Sequence, residues 1–207
     1  MNSSFVIGVA GGSGSGKTTL ARALGERLDA TLLAEDDYYL CSSRVPDFDP
    51  LAYNFDHPDA KDFPLLCEHL EGIKRGEEVA RPAYDFVTHR RRSATTPLRC
   101  EGVLIVEGIL VLHDPRVRAS LDLALYVHAP DDVRLARRLI RDTKERGRTP
   151  ESVALQWLGT VRPMHHAFVE PQKAVADLIV DTGEGRTVPD VDSLVARIGA
   201  ARGRDFV

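Results

Sequence analysis

The segment Gly11-Gly12-Ser13-Gly14-Ser15-Gly16-Lys17-Thr18 constrains this chain more than any other. It fits G-x-x-x-x-G-K-[ST], a phosphate-binding loop, a pattern that carries that meaning only between a strand and a helix. Both flanks are present. Phe5-Val6-Ile7-Gly8-Val9-Ala10 is an apolar, β-branched run that predicts a buried parallel strand. Thr19 to Leu28 places Leu20, Leu24 and Leu28 on one helical face. Glycines let backbone N–H groups wrap a phosphate, and the helix N-terminus adds positive potential. Lys17 is placed to reach the β- and γ-phosphates, and the Thr18 hydroxyl to ligate Mg²⁺.

A chain of 207 residues has room for one α/β domain with a substantial core, so residues 1–207 are expected to form a single domain. The net charge of −4 argues against a general nucleic-acid binder. No apolar run reaches membrane length, and no basic N-terminal segment suggests a signal peptide, so no membrane partner is expected. Cys41, Cys67 and Cys100 are far apart, odd in number and without a C-x-x-C pair. They predict reduced thiols and a cytoplasmic setting.

Residues 30–34 form a second apolar run ending in Glu35-Asp36-Asp37-Tyr38-Tyr39. Ligands of open α/β sheets bind beyond the carboxyl ends of the strands, so a carboxylate there is a candidate general base; a solvated loop or a helix cap reads equally well. Spacing alone does not choose among the three. Residues 41–60, rich in Pro, Asp and aromatics, predict a long structured loop. Asp59 is placed to cap a helix over about 60–75 that ends at Gly76. Residues 77–100 predict an inserted β-hairpin with a basic turn at Arg90-Arg91-Arg92-Ser93, serving either as a cover for a site or as structure alone. Gly102 to Gly108 is the strongest strand, and its terminal Glu107 is a candidate organiser of magnesium. A short helix near 115–119 and a strand over 123–128 follow.

Residues 131–142 predict a helix with Arg134, Arg138 and Arg141 on one face, followed by Glu145-Arg146-Gly147-Arg148 with a glycine hinge. A solvated charged helix and an arginine lid closing over a phosphate both fit; arginine's planar, permanently charged fork suits a transferring phosphoryl group. Thr149-Pro150 predicts the start of a helix to about Val161 that Pro163 ends or bends, for a lid region of about 134–160. His165 and His166 are adjacent and neither has a histidine or cysteine at i+4, which argues against a metal site. A last strand over 176–181 is followed by Gly183 and Gly185, and a closing helix by about 191–201. The fold class expected is α/β: a mostly parallel sheet of the P-loop NTPase type flanked by helices, with the inserted hairpin and the arginine-bearing lid.

Taken together these stretches resemble the uridine (uridine–cytidine) kinases over nearly the whole length. The resemblance rests on Gly11 to Thr19, Glu35-Asp36-Asp37-Tyr38-Tyr39, Asn54-Phe55-Asp56-His57-Pro58-Asp59-Ala60, Tyr84-Asp85-Phe86-Val87-Thr88-His89, Val106-Glu107-Gly108-Ile109-Leu110, Arg137-Arg138 through Arg141-Asp142, Glu145-Arg146-Gly147-Arg148 and Val161-Arg162-Pro163-Met164. It implies transfer of phosphate from ATP, or alternatively GTP, with Mg²⁺, to the 5′-hydroxyl of uridine or cytidine. It extends the nucleotide-binding set to Gly11, Gly12, Ser13, Gly14, Ser15, Gly16, Lys17, Thr18 and Thr19, and implies Asp36 as general base. Asp56 would accept from the ribose 2′- and 3′-hydroxyls, a role suited to an acceptor-only carboxylate. Tyr84 and His89 would meet the pyrimidine with Phe86 packing nearby, while Arg138 and Gln156 would hold the nucleoside. Arg141, Arg146 and Arg148 would surround the phosphates, with Lys17 among the catalytic groups. Thr18 and Glu107 would organise the metal. A neutral imidazole carries one donor and one acceptor, so His89 could satisfy position 4 of either uracil or cytosine. The resemblance also suggests a homotetramer and feedback inhibition by pyrimidine triphosphates.

The chain departs from the family pattern in two places. Leu40-Cys41 stands where Lys-Asp is common, and residues 40–53 match poorly. The last strand leads into Asp181-Thr182-Gly183-Glu184-Gly185-Arg186 rather than a Pro-Arg-Gly turn. The rival readings are a related kinase of the phosphoribulokinase, pantothenate kinase or nicotinamide riboside kinase type, a nucleotide-dependent switch, or a binding protein. Neither N-K-x-D with D-x-x-G nor an L-S-G-G-Q-like signature occurs, and Lys17, Thr18, Asp36 and Glu107 are intact.

Overall fold

The computed structural model of the chain describes residues 4–49, 53–183 and 190–202. Along the chain run β1 (Phe5–Gly11), α1 (Lys17–Leu28), β2 (Thr31–Ala34), α2 (Phe63–Lys74), the short strands β3 (Val79–Arg81), β4 (Tyr84–Asp85), β5 (Arg90–Arg91) and β6 (Thr96–Leu98), then β7 (Val103–Gly108), α3 (Pro115–Ala119), β8 (Leu123–His128), α4 (Asp131–Glu145), α5 (Pro150–Gln156), α6 (Arg162–Met164), β9 (Leu178–Asp181) and α7 (Val191–Arg202). Strands β2, β7, β1, β8 and β9, in that spatial order, form one parallel sheet. Parallel strands share one carboxyl edge, which brings the segments after β1, β2 and β7 together.

Both faces of the central strands β7, β1 and β8 are covered, which is why they are apolar throughout rather than alternating. The period of two sends Val6 and Ala10 of β1 to one face, with Leu33, Leu104, Leu66, Leu70 and Ile73. It sends Ile7 and Val9 to the other, with Leu20, Leu24, Ile105, Leu125 and Ile198. The leucine stripe of α1 is thus the stripe that packs.

Three local expectations are corrected and one, the hairpin, is borne out with added detail. Asp59 does not cap α2: it sits in a 3₁₀ turn, Pro58–Ala60, and its N–H is taken by the His57 ring. The helix starts at Phe63 with Asp62 as its cap, the Asp62 carboxylate accepting from Leu65 N–H at 3.2 Å. The delay has a cause: Lys61 is held extended by an isolated antiparallel bridge to Tyr39. Second, the insert is a hairpin of two separate ladders, β3 with β6 and β4 with β5. Third, its tip is residues 86–89, not the arginines, which lie in β5. Asp85 nucleates that tip by accepting from Val87 N–H at 2.9 Å and Thr88 N–H at 3.2 Å. Fourth, Pro163 does not end the helix. The segment after α5 continues through a π turn at Trp157–Val161, α6, a second π turn at His165–Val169 and a 3₁₀ stretch to Val175. The cap at Thr149 and Pro150 stands as expected, with Thr149 Oγ1 accepting from Ser152 N–H at 3.2 Å. Gly185 and Arg186, and Pro50 of the long loop, fall outside the described residues.

Candidate active site

Helix α1 begins at Lys17 behind Gly16, whose φ of 92° only glycine adopts freely, and no side chain caps its first N–H groups. Gly14 is required for a second reason: at φ +81°, a Cβ there would lie 2.3 Å from the backbone oxygen of Arg134. The loop closes on itself through Ser15 N–H to Gly12 O at 3.0 Å. Uncapped, inward-turned N–H groups at a helix start suit a phosphate. Lys17 and Thr18 are half-buried beside the loop, and Thr19 is exposed on the first turn.

The Thr18 hydroxyl donates to Glu107 Oε1 at 3.0 Å. Glu107 is at the end of β7, level with Val9 of β1 and Ala34 of β2. A hydroxyl and a carboxylate side by side offer hard oxygen donors but no cage, and no cluster of three or more His, Cys, Asp or Glu ligands occurs among the described residues. That donor set suits Mg²⁺, which keeps waters and is bound jointly with substrate phosphates.

Beyond β2 the chain turns at once into a 3₁₀ turn, Glu35–Tyr38. Such a turn rotates about 120° per residue, so its three carboxylates part company. Glu35 is fully buried against Gly108, where a Cβ would fall 1.8 Å from Glu35 Oε2, and it accepts from Leu110 N–H at 3.0 Å. Asp37 turns toward Arg81 and the Tyr84 N–H. Asp36 faces the cleft, its side chain 52% exposed, with Lys61 Nζ donating to Oδ1 at 2.8 Å. Desolvation by the cleft walls works against its charge, but Lys61, Lys17 and Arg146 outweigh it and hold the Asp36 carboxyl below the usual carboxylate range.

The hairpin tip and the long loop meet in an aromatic wall. Tyr39 packs on Tyr84 at 5.2 Å between centroids, Tyr84 on Phe86 at 5.2 Å, and Phe55 stacks on His89 at 5.1 Å. Tyr84 is buried and its phenol is pushed up to about 12 by desolvation, so it remains a donor at neutral pH. Phe86 is exposed. His89 adopts φ 54° and its buried Nδ1 has no hydrogen-bond partner. Asp56 is half-buried; burial raises its carboxyl, against the pull of Arg138 and Lys61.

On α4, Arg138 bridges the two halves of the site, donating to Ser13 Oγ at 2.7 Å and to Gln156 Oε1 at 2.7 Å. Arg148 also donates to Gln156 Oε1, and to Ser152 Oγ at 2.8 Å. Gln156 therefore organises two arginines through the one oxygen. Asp142, fully buried, gathers the others: Arg141 Nε at 2.8 Å, Arg138 Nε at 3.4 Å and Arg146 Nε at 3.6 Å. Arg134 shares their helical face in the sequence but not their setting. It is fully buried beneath the phosphate loop, over the Trp157 ring at 4.9 Å and paired with Asp131 at 2.5 Å.

Lys61, Asp142 and buried Glu35 were not singled out by any spacing. Lys61 follows Asn54–Ala60, and its inward aim comes from a bridge to a residue 22 positions earlier. Its one local signal is a lysine two residues before the Phe63 start of an apolar helix face, which is weak.

The model of the phosphoribulokinase / uridine kinase family matches residues 6–189. A uridine kinase of Geobacillus kaustophilus (strain HTA426) is 49% identical over 197 residues, covering 93% of this chain and 92% of that protein. A uridine kinase of Deinococcus deserti is 47% identical, covering 94% and 95%. Among solved structures, D-glycerate 3-kinase from Cryptococcus neoformans var. grubii matches with a TM-score of 0.59 at 20% identity, covering 81% of this chain and 80% of that one, which speaks for the fold alone. With the family model spanning most of the chain and near-full-length relatives at almost half identity, the chain belongs to the phosphoribulokinase / uridine kinase family.

Proposed function

We propose that this enzyme phosphorylates the 5′-hydroxyl of uridine and cytidine with ATP, giving UMP and CMP. The observation that carries the reading is Asp36: an ionised, half-exposed carboxylate at the sheet's carboxyl edge, within the electrostatic reach of Lys17 and Arg146. Asp36 accepts the proton of the 5′-hydroxyl as that oxygen attacks the γ-phosphorus. The new O–P bond forms in line with the departing β–γ bridging oxygen, which leaves with ADP. Lys17, Arg141, Arg146 and Arg148 neutralise charge on the transferring group. Thr18 and Glu107 would hold Mg²⁺, which would supply further charge neutralisation on the phosphates.

Asp56 receives the ribose diol, which explains why a carboxylate is kept beside Arg138 and Lys61. Tyr84 and Phe86 flank the base, and the unpartnered His89 Nδ1 is left for its polar edge. Imidazole serves a carbonyl or an amino group, so both nucleosides are accepted. Arg138 and Gln156 hold the acceptor against the phosphate loop. The reading also places the enzyme in the cytoplasm, as a homotetramer with ATP, or alternatively GTP, as donor; no helix among the described residues is long and apolar enough to cross a membrane.

The test is Asp36→Asn with uridine and Mg-ATP. Turnover should fall by about 10³-fold or more, general-base assistance and orientation being lost together, with the uridine affinity of the free enzyme little changed. Turnover like wild type would reject the assignment.

A further inference from the structure

A lysine ammonium is buried inside the site, and neither the phosphate loop nor the substrate pockets account for it. Lys61 has a side chain only 1% exposed. Its Nζ donates to Asp36 Oδ1 at 2.8 Å, stands 3.9 Å from Glu35 Oε1 and lies 3.3 Å from the centroid of the Tyr39 ring. Three independent features fix it there. The backbone of Lys61 is pinned by its bridge to Tyr39, flanked by Leu40 N–H to Ala60 O at 2.9 Å and Asp62 N–H to Tyr38 O at 2.8 Å. Glu35 is locked by the Leu110 N–H and by the absence of a Cβ at Gly108. Arg91 ties the same strand together by donating to Tyr39 O, Tyr38 O and Asp62.

We propose that Lys61 is a positioning residue for the transfer step: flanked by Glu35 and seated on the Tyr39 face, it takes one oxygen of the Asp36 carboxylate and aims the other at the acceptor hydroxyl. The inference rests on the reading of Asp36 as general base. Its logic is geometric. A half-exposed carboxylate such as Asp36 rotates freely unless one oxygen is held. Lys61 engages Oδ1, and no hydrogen bond from the described residues engages Oδ2. The ammonium is itself expensive to bury, and three partners offset that cost: Asp36, Glu35 and the aromatic face.

The charges around Asp36 come from several elements: Lys61 before α2, Lys17 on α1, Arg146 after α4, and Glu35, Asp37 and Asp56 of like sign. Lys61 heads the favourable contributions, so its removal raises the Asp36 carboxyl. A base that must be ionised loses activity as pH falls through its pKa. The acid limb of kcat/KM, which reports the free enzyme, therefore moves to higher pH when the lysine is lost.

The experiment compares wild type, Lys61→Met and Asp36→Asn in uridine phosphorylation across pH, each checked by thermal melting. Lys61→Met should lower kcat by about 10–100-fold, as a displaced catalytic group does, move the acid limb upward and leave the uridine KM within a few fold. Should the single variant fail to fold, Glu35→Gln/Lys61→Met removes the buried ammonium together with the buried carboxyl beside it and is read in the same way. An unmoved acid limb with wild-type kcat, or a raised KM at unchanged kcat, overturns the role of Lys61 while an inactive Asp36→Asn leaves the base in place. An active Asp36→Asn overturns the base itself, whatever Lys61→Met does.

Discussion

His165 lies under the phosphate loop, where a Cβ on Gly12 would come within 2.8 Å of its Nδ1, and that nitrogen has no hydrogen-bond partner. Burial, and then the Arg134 guanidinium, push its imidazole down to about 4. An ordinary histidine in the unfolded chain protonates near 6.5, so the unfolded chain binds the proton first. The stability associated with neutral His165 is complete above pH 6.5 and is lost as pH falls toward 4. At roughly 1.4 kcal/mol per unit, this one residue should weaken the protein by about 2 kcal/mol between pH 7 and pH 5. Urea midpoints at the two pH values should show the loss, and His165→Asn should reduce it by that amount; an equal loss in the variant would remove His165 as its source. The residue scale is also where the sequence was least legible. Nothing in Glu35-Asp36-Asp37 says which carboxylate faces the cleft. The 3₁₀ turn decides it, and the turn is set by partners far along the chain, Leu110 for Glu35 and Lys61 for Asp36. The resemblance to known kinases pointed to Asp36; spacing did not.

At the scale of elements, local signals worked where an element depends on its own residues and failed where it depends on others. The strand before the phosphate loop, the leucine stripe of α1 and the Thr149-Pro150 cap all carry their own instructions. The start of α2 does not, because Lys61 is drawn into pairing with Tyr39. Nor does the helix through Pro163, since π turns keep the chain helical with wider hydrogen bonding. Arg134 shows the limit of helical periodicity: it shares a face with Arg138 and Arg141, yet the phosphate loop sits on it. The arginine segment makes a prediction of its own. Asp142 is the buried anion to which Arg138, Arg141 and Arg146 converge. Asp142→Asn leaves three guanidinium groups facing each other without a counter-charge. It should destabilise the protein by about 3 kcal/mol and raise the KM for ATP more than that for uridine. Differential melting together with the two KM values checks this; an unchanged ATP KM would detach the arginine cluster from the phosphates.

At the scale of the whole molecule, one parallel sheet gathers three loops at its carboxyl edge, and every proposed catalytic group lies on or across from that edge. The sheet itself was legible because both faces of its central strands are buried, which writes long apolar runs into the sequence. The opposite wall was only half legible. The hairpin is legible from its partial alternation, but its tip lies four residues before the expected basic turn because the arginines pair in β5 while Asp85 makes the turn. The contacts that join the wall to the sheet, Arg138 to Ser13 and Lys61 to Asp36, are separated by 125 and 25 residues. No local pattern encodes them. In the proposed function this arrangement selects a pyrimidine ribonucleoside. Steady-state phosphorylation with Mg-ATP, comparing uridine, cytidine, deoxyuridine, ribulose 5-phosphate, pantothenate and nicotinamide riboside, tests it directly. Strong turnover of uridine and cytidine is predicted, with deoxyuridine poor because Asp56 loses half of the diol. Turnover confined to one of the other acceptors would contradict the account while leaving the phosphate loop in place.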